Sequence, residues 1–196
     1  MKKLILPSFL FFVLTMPGCG TEEKPGARSS ARLAKEVLAS LVSNDREHFS
    51  GFVFDQRDMT HYYTQKLQKL QKRKQGMSEQ DLLGTKKVLQ RVKSDRCYAR
   101  YRGRFYKILE SYSHVRRKAK KAGVSWVNAK FDSVDYGNFR EKYGMKISDL
   151  YLHFFSQGKK WKIKINDAIK TDRGWVLKGK LKWRGQYKEI ANPLNN

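Results

Sequence analysis

Apolar residues recur at helical spacing through the first half of the chain and at a spacing of two through much of the second. Ala34, Val37, Leu38, Leu41 and Val42 fall at i, i+3, i+4, i+7 and i+8, one stripe of a helix that Ser30 is placed to cap. Asn44 and Asp45 end this stripe and open a short second helix carrying Phe49, Phe52 and Val53. From about Arg57 to Ala122 the pattern stays helical. Breaks fall at Gln75-Gly76 and Ser94-Asp95, and Ser78, three residues ahead of Asp81, marks a capping-box-like restart. Tyr98, Tyr101, Phe105, Ile108, Leu109, Tyr112 and Val115 form the last helical stripe. Lys120, Lys121 and Gly123 close it, because cations favour the negative end of a helix and glycine takes the left-handed position after it.

Beyond Gly123 the period becomes two. Val127, Ala129 and Phe131 predict one strand, and Leu150, Leu152 and Phe154 a second. Trp161, Ile163 and Ile165 predict a third, and Trp175, Leu177, Leu181 and Trp183 a fourth. Gln157-Gly158 reads as a two-residue hairpin loop, and Asp172-Arg173-Gly174 as a three-residue loop with glycine at the left-handed position. The first loop pairs Phe154 with Trp161 and Leu152 with Ile163. The second pairs Ile165 with Leu181 and Ile163 with Trp183. Two independent turns thus direct the same apolar side chains to one face, as a half-buried antiparallel sheet requires. Helices followed by a meander of strands predict an α+β fold, with N-terminal helices on one face of a curved, mostly antiparallel, four-stranded C-terminal sheet.

That register sends Lys160, Lys162 and Lys164, and on the next strand Lys178, Lys180 and Lys182, to the other face beside Tyr151 and Phe155. Lys164 then stands opposite Lys182, where like charges repel. A second basic concentration lies in the helical half, where only Asp95 and Glu110 offset the cations between Lys86 and Lys121. Within it Arg100, Arg102 and Arg104 alternate with aromatic residues. The chain carries 42 lysines and arginines against 18 acids, a formal charge of +24. Such an excess predicts polyanionic partners: anionic lipid, lipopolysaccharide, an acidic glycan or nucleic acid. With 13% aromatic residues, the chain is not expected to be disordered.

The N-terminus narrows the choice. Lys2 and Lys3 precede the apolar residues Leu4 to Leu14, and Met16-Pro17-Gly18-Cys19 follows, the layout of a secretory signal. The run from Leu4 to Gly18 is shorter than the ~20 residues of a spanning helix and contains Pro7 and Pro17. Residues 1–18 are therefore expected to be a signal, 19–30 a flexible tether, and 31–190 a single domain with a long basic helical region at 57–122. Gly18-Cys19 resembles the lipobox of bacterial lipoproteins. The resemblance implies palmitate-type acylation of Cys19 and anchoring in the cell envelope. Gly20, where an Asp marks inner-membrane retention, implies the outer membrane or cell surface, with a periplasmic-side location as the alternative. Cys97 is then the single cysteine of the folded part, which leaves no pair for an intramolecular disulfide. Export also argues against nucleic acid, and the Arg-aromatic stretch lacks the residue order of the RNA-binding strand motif.

ARLAKEVLASLVSNDREHF resembles the first helix and polar break of NTF2-like (cystatin-like) domains, and KKWKIKINDAIKTDRGWVLKGKLKW their closing strands. The resemblance implies a curved sheet wrapped against helices, forming a cone with a pocket. Members of that fold that are enzymes use a pocket Asp or His, and Asp167 is the nearest analogue. The register places it inward, opposite Gly179, where burial raises a carboxyl pKa. His48, His61, His114 and His153 show no metal-ligand spacing, and no nucleophile elbow, P-loop or dinucleotide fingerprint occurs, so neither metal nor cofactor is expected. The expected function is a non-catalytic, lipid-anchored module that binds an anionic envelope component. The alternatives are an NTF2-like pocket with Asp167 as acid/base, and a structural lipoprotein of the envelope.

Overall fold

The computed structural model describes residues 26–72, 78–94 and 98–187, and of 98–100 the backbone alone. The expected signal, Cys19, the first part of the tether and Cys97 lie outside the described residues. Ser29, one residue earlier than expected, caps α1 (Ser30–Ser43), its hydroxyl accepting from the Arg32 N–H at 3.0 Å. Asn44 closes that helix in the left-handed conformation, and Asp45 accepts from the His48 N–H at 2.8 Å to start α2 (Arg46–Gly51). At the head of α3 (Gln56–Lys72), the Asp58 N–H donates to the Asp55 carboxylate and the Asp55 N–H to that of Asp58, at 3.0 and 2.9 Å, a reciprocal cap. Ser78 caps α4 (Glu79–Lys93), as its spacing predicts, and α5 (Tyr98–Lys121) ends before Gly123 at φ 92°.

Strands β1 (Lys130–Lys142), β2 (Met145–Ser156) and β3 (Lys159–Thr171) form an antiparallel meander. β4 (Gly174–Leu177) and β5 (Leu181–Gln186) pair in succession with the far side of β3, so the sheet is curved and not closed. The first expected register is present: Phe154 faces Trp161 and Leu152 faces Ile163 across Gln157-Gly158, both at positive φ. Ile165 faces Leu181 and Ile163 faces Trp183, also as expected. The route to that second register differs. Thr171 pairs with Gly174 across a two-residue loop, and the missing residue is restored by an irregularity between Ala168 and Ile165, so the expected fourth strand is split in two. Two further corrections concern the expected first strand and the expected tether. Trp126–Asn128 is a turn of 3-10 helix with Val127 exposed, and β1 begins only at Lys130. The tether ends at Gly26, not Ser30: Ala27 exchanges backbone hydrogen bonds with Trp175 of β4 at 3.1 and 2.7 Å. The contact requires glycine on both sides. A Cβ on Gly26 would stand 2.4 Å from the Arg173 carbonyl, and one on Gly174 2.6 Å from that of Ala27.

The irregularity is built around one carboxylate. Asp149, 5% exposed, accepts from Lys164 Nζ at 2.8 Å, the Asn138 amide at 2.9 Å and the Asp167 N–H at 3.0 Å. Both Asn138 and Asp167 are in the left-handed region, beside bulges in β1 and β3. A bulge inserts a residue and reverses which face later side chains occupy. Below it Leu150, Leu152, Phe154, Trp161, Ile163 and Ile165 pack on α1 and α5 in the main core. Above it Ala168, Trp175 and Leu177 stay in that core, while Ile169 and Val176 join Phe54, Tyr62, Tyr101, Met145 and Ile147 in a second cluster. The helices therefore do not all lie on one face. α3 and the start of α5 cover the upper end of the opposite face, and α5 runs past the β4–β5 edge.

Arg173, in the loop between β3 and β4, locks this end. Its Nε and Nη2 reach the Asp58 carboxylate at 3.0 and 2.7 Å, and Nη1 and Nη2 donate to the carbonyls of Gly51 (2.7 Å) and Val53 (2.9 Å). The two side chains are 6% and 0% exposed, so removing one partner strands a charge in a desolvated site. Arg173→Ala is expected to cost about 3–5 kcal/mol in urea unfolding, and Arg173→Lys only part of that, because a lysine keeps the charge but not the fork.

Candidate anion-binding cleft

The break between β4 and β5, Lys178-Gly179-Lys180, lies where α5 passes the sheet edge. Gly179 sits so close to β3 that a Cβ would stand 2.5 Å from the Asn166 carbonyl oxygen. The neighbouring lysines are left against α5, around a cleft of about 520 Å³ lined by Gly103, Arg104, Lys107, Asp167, Lys178 and Lys180 among others. A hollow of about 600 Å³ shares Lys107 and Lys180 and continues along α5 past Arg46, His114 and Arg117, with Glu110 as its acid. Among the described residues, none of Arg104, Lys107, Lys178 or Lys180 has a carboxylate within ion-pair distance. Asp167, the acid of the cleft, is already paired with Arg140.

Lys178 is the least solvated of the four cations. Its ammonium lies 4.3 Å from the ring centroid of Tyr62 and 5.7 Å from that of Phe54. Burial pushes it below the usual lysine range; Asp167 opposes the shift, and Arg104, Lys142 and Arg140 reinforce it. Ring faces stabilise a cation without neutralising it. An anion delivered to this cleft would meet guanidinium and ammonium donors from two walls.

The expected six-lysine face is not present as such. Lys178 faces Phe54 and Tyr62 instead, and Lys180 lines the cleft. Lys160, Lys162, Lys164 and Lys182 do share the open face of the lower sheet, and Lys164 does stand opposite Lys182. Three acids are set among them, however. Lys160 pairs with Asp132 and Lys164 with Asp149, each at 2.8 Å, and Asp135 holds His153. Lys162 lies over Tyr187 at 4.5 Å and Tyr151 at 5.4 Å. Lys160, with Ser133, holds Asp132 below the usual carboxylate range. Burial raises the Asp149 pKa, but Lys164, the Asp167 N–H and Asn138 outweigh it, and the net shift is downward. Of the expected arginines, Arg104 lines the cleft, Arg102 is exposed on α5 outside it, and the Arg100 side chain lies outside the described residues. Asp167 is not inward-facing. It sits on the bulge with its side chain 42% exposed, and Asn166 rather than Asp167 opposes Gly179. Lys107 belongs to the basic concentration of the helical half but is not singled out by the sequence as Arg100, Arg102 and Arg104 are. Its signal was available, three residues after Arg104 and on the same helical face.

His153, 1% exposed, is buried in the open face of the sheet. Its Nε2 meets Asp135 Oδ2 at 2.8 Å, its ring packs edge-on to Tyr187 at 4.8 Å, and Nδ1 has no hydrogen-bond partner among the described residues. Burial pushes its pKa down, Asp135 opposes, and Lys162 and Lys160 reinforce the fall. Among the described residues no cluster of metal-binding side chains occurs, and no helix is long and apolar enough to cross a membrane. Compared with known proteins, the chain matches no family model, no curated protein and no solved structure.

The His153 shift sets the sign of a pH effect. A histidine whose folded pKa lies below its ordinary 6.5 binds fewer protons folded than unfolded, so stability falls as pH drops through and below that value. Denaturant midpoints measured from pH 7.5 to 5 are expected to decline in the wild type and to decline less in His153→Gln, which keeps a polar partner for Asp135 but does not titrate.

Proposed function

We propose that the chain is an exported lipoprotein, acylated at Cys19 and held at the cell envelope, whose NTF2-like domain binds an anionic envelope component without catalysing a reaction. The observation that carries this reading is the convergence of Arg104 and Lys107 from α5 with Lys178 and Lys180 from the strand edge, around an acid already committed to Arg140. Like charges gathered from two walls repel, and a bound polyanion removes the repulsion. The helices packed on a curved antiparallel sheet are consistent with an NTF2-like cone. The alternative of Asp167 as a general acid or base is the weaker reading, since its carboxylate is half-exposed and ion-paired. A purely structural lipoprotein does not account for the half-buried Lys178.

Each cation near an anionic surface contributes about 1 kcal/mol. The triple variant Arg104→Gln/Lys107→Gln/Lys180→Gln is therefore expected to bind vesicles containing phosphatidylglycerol on the order of 100-fold more weakly than wild type in a sedimentation assay. It should also leave heparin at distinctly lower salt, whereas Lys182→Gln should move elution little. Equal retention of the two variants would overturn the assignment of the cleft. Cys19→Ser is expected to leave the protein in the soluble fraction after a high-salt wash, and mass spectrometry of the wild-type N-terminus should show an acylated Cys19.

A further inference from the structure

Gly103 lies in the interior of α5, where glycine destabilises a helix relative to alanine because it gives up more backbone freedom. Packing does not call for it: a Cβ there would meet nothing within 4 Å. Gly84 in α4 is similarly open and both glycines are exposed, so openness alone carries no signal, but Gly84 lines neither the cleft nor its continuation. Gly103 forms part of the cleft wall, beside Arg104 and across from Lys178 and Lys180. The missing side chain leaves open space in a wall that Arg104, Lys178 and Lys180 also line.

The shape and charge of that room restrict what fits. With Asp167 paired to Arg140, four cations face the cleft, and a single carboxylate would neutralise one of them. Ile108 is the one large apolar residue in the lining, so an acyl chain would find little to bury against. At about 520 Å³ the cleft holds far more than a bare oxyanion. A phosphomonoester carries close to two negative charges at neutral pH and three acceptor oxygens on one atom. It matches the planar fork of Arg104 together with the point charges of Lys107, Lys178 and Lys180. The rings of Tyr62 and Phe54 hold the Lys178 ammonium in place but supply no negative charge, so the ligand's phosphate would be its anionic partner.

We propose that the cleft between α5 and the β4–β5 break binds a phosphomonoester group carried on a polar scaffold of sugar size, with Lys178 at its base and Gly103 making room for it. This rests on the reading of the cleft as the anion site and names its ligand class. A soluble sugar phosphate and a phosphorylated lipid head group share this chemistry, and the experiment separates the two.

The full chain is titrated calorimetrically with glucose 1-phosphate, with glucose and succinate as controls, and in a parallel arm with phosphatidylcholine vesicles doped with phosphatidic acid. Saturable binding of glucose 1-phosphate, with neither control binding, is expected for a soluble source. Binding only to the doped vesicles would assign the head group. In either arm Lys178→Met is expected to weaken binding roughly tenfold or more. Gly103→Leu, which removes the helix-interior glycine and fills the space, is expected to abolish it while the thermal midpoint holds or rises. Gly103→Ala should raise the midpoint, reporting that the helix itself has no need of glycine. Succinate binding as tightly as glucose 1-phosphate, or affinity unchanged in both Gly103→Leu and Lys178→Met, would overturn the proposal. Absence of binding in both arms, with cleft-dependent heparin retention intact, would overturn it and leave the broader anionic reading standing. Loss of that retention as well would remove both.

Discussion

A buried carboxylate must be satisfied, and in this protein the means of satisfying one shapes the sheet. Asp149 collects an ammonium, an amide and a backbone N–H. The last two come from residues whose backbones are left-handed, Asn138 and Asp167. A buried acid without such donors costs several kcal/mol, more than the ~1–3 kcal/mol of a strained non-glycine backbone position. The bulges are therefore the cheaper solution. β3 takes its bulge at Asn166-Asp167, and on its far side β4 and β5 separate at Lys178-Gly179-Lys180. The cleft lies at that separation.

The same constraint divides the core. Above the bulge consecutive residues of β3 and β4 serve different clusters, so this end of the sheet is covered on both faces. α5 links the two, with Tyr101 in the upper cluster and Ile108, Tyr112 and Val115 in the main core. Its polar side is thereby carried past the sheet edge. The Arg173 lock to Asp58, Gly51 and Val53 fixes the α2–α3 connection, and with it Phe54, whose ring lies under the Lys178 ammonium. Cleft and stability device share the same few turns of chain.

The large positive charge is distributed unevenly in its compensation. On the open face of the lower sheet, acids from β1 and β2 interleave with the lysines of β3, an arrangement that eases repulsion between neighbouring strands and lowers the carboxyl pKa values. At the α5 cleft the one acid in the lining, Asp167, is paired with Arg140. What marks the cleft is the contrast between these two regions of one molecule, more than the net charge.

Much of the fold was legible in local sequence. Helical stripes and caps place α1, α2, α4 and α5 to within a residue or two, and the Gln157-Gly158 turn specifies the core register of β2 and β3, because periodicity and turn chemistry act over neighbouring residues; the expected register of β3 and β5 is reached through a shorter loop and a bulge instead. β1 was largely illegible: its outward-leaning polar residues, Asp132, Ser133, Asp135 and Asn138 among them, break the alternation that marks a strand. Its absence from the reading hid the acids that pair with Lys160 and His153. The orientation of Lys178 and Asp167 was beyond local pattern altogether. An alternation of period two is reversed by a single inserted residue, and whether one is inserted depended on Asp149, many residues away in the chain and adjacent only once the strands had paired. The sequence by itself determined which residues are apolar, where elements start and stop, and that cations are in excess. Tertiary structure decided which cations are neutralised and which are left facing one another, because that depends on long-range contacts no local period records.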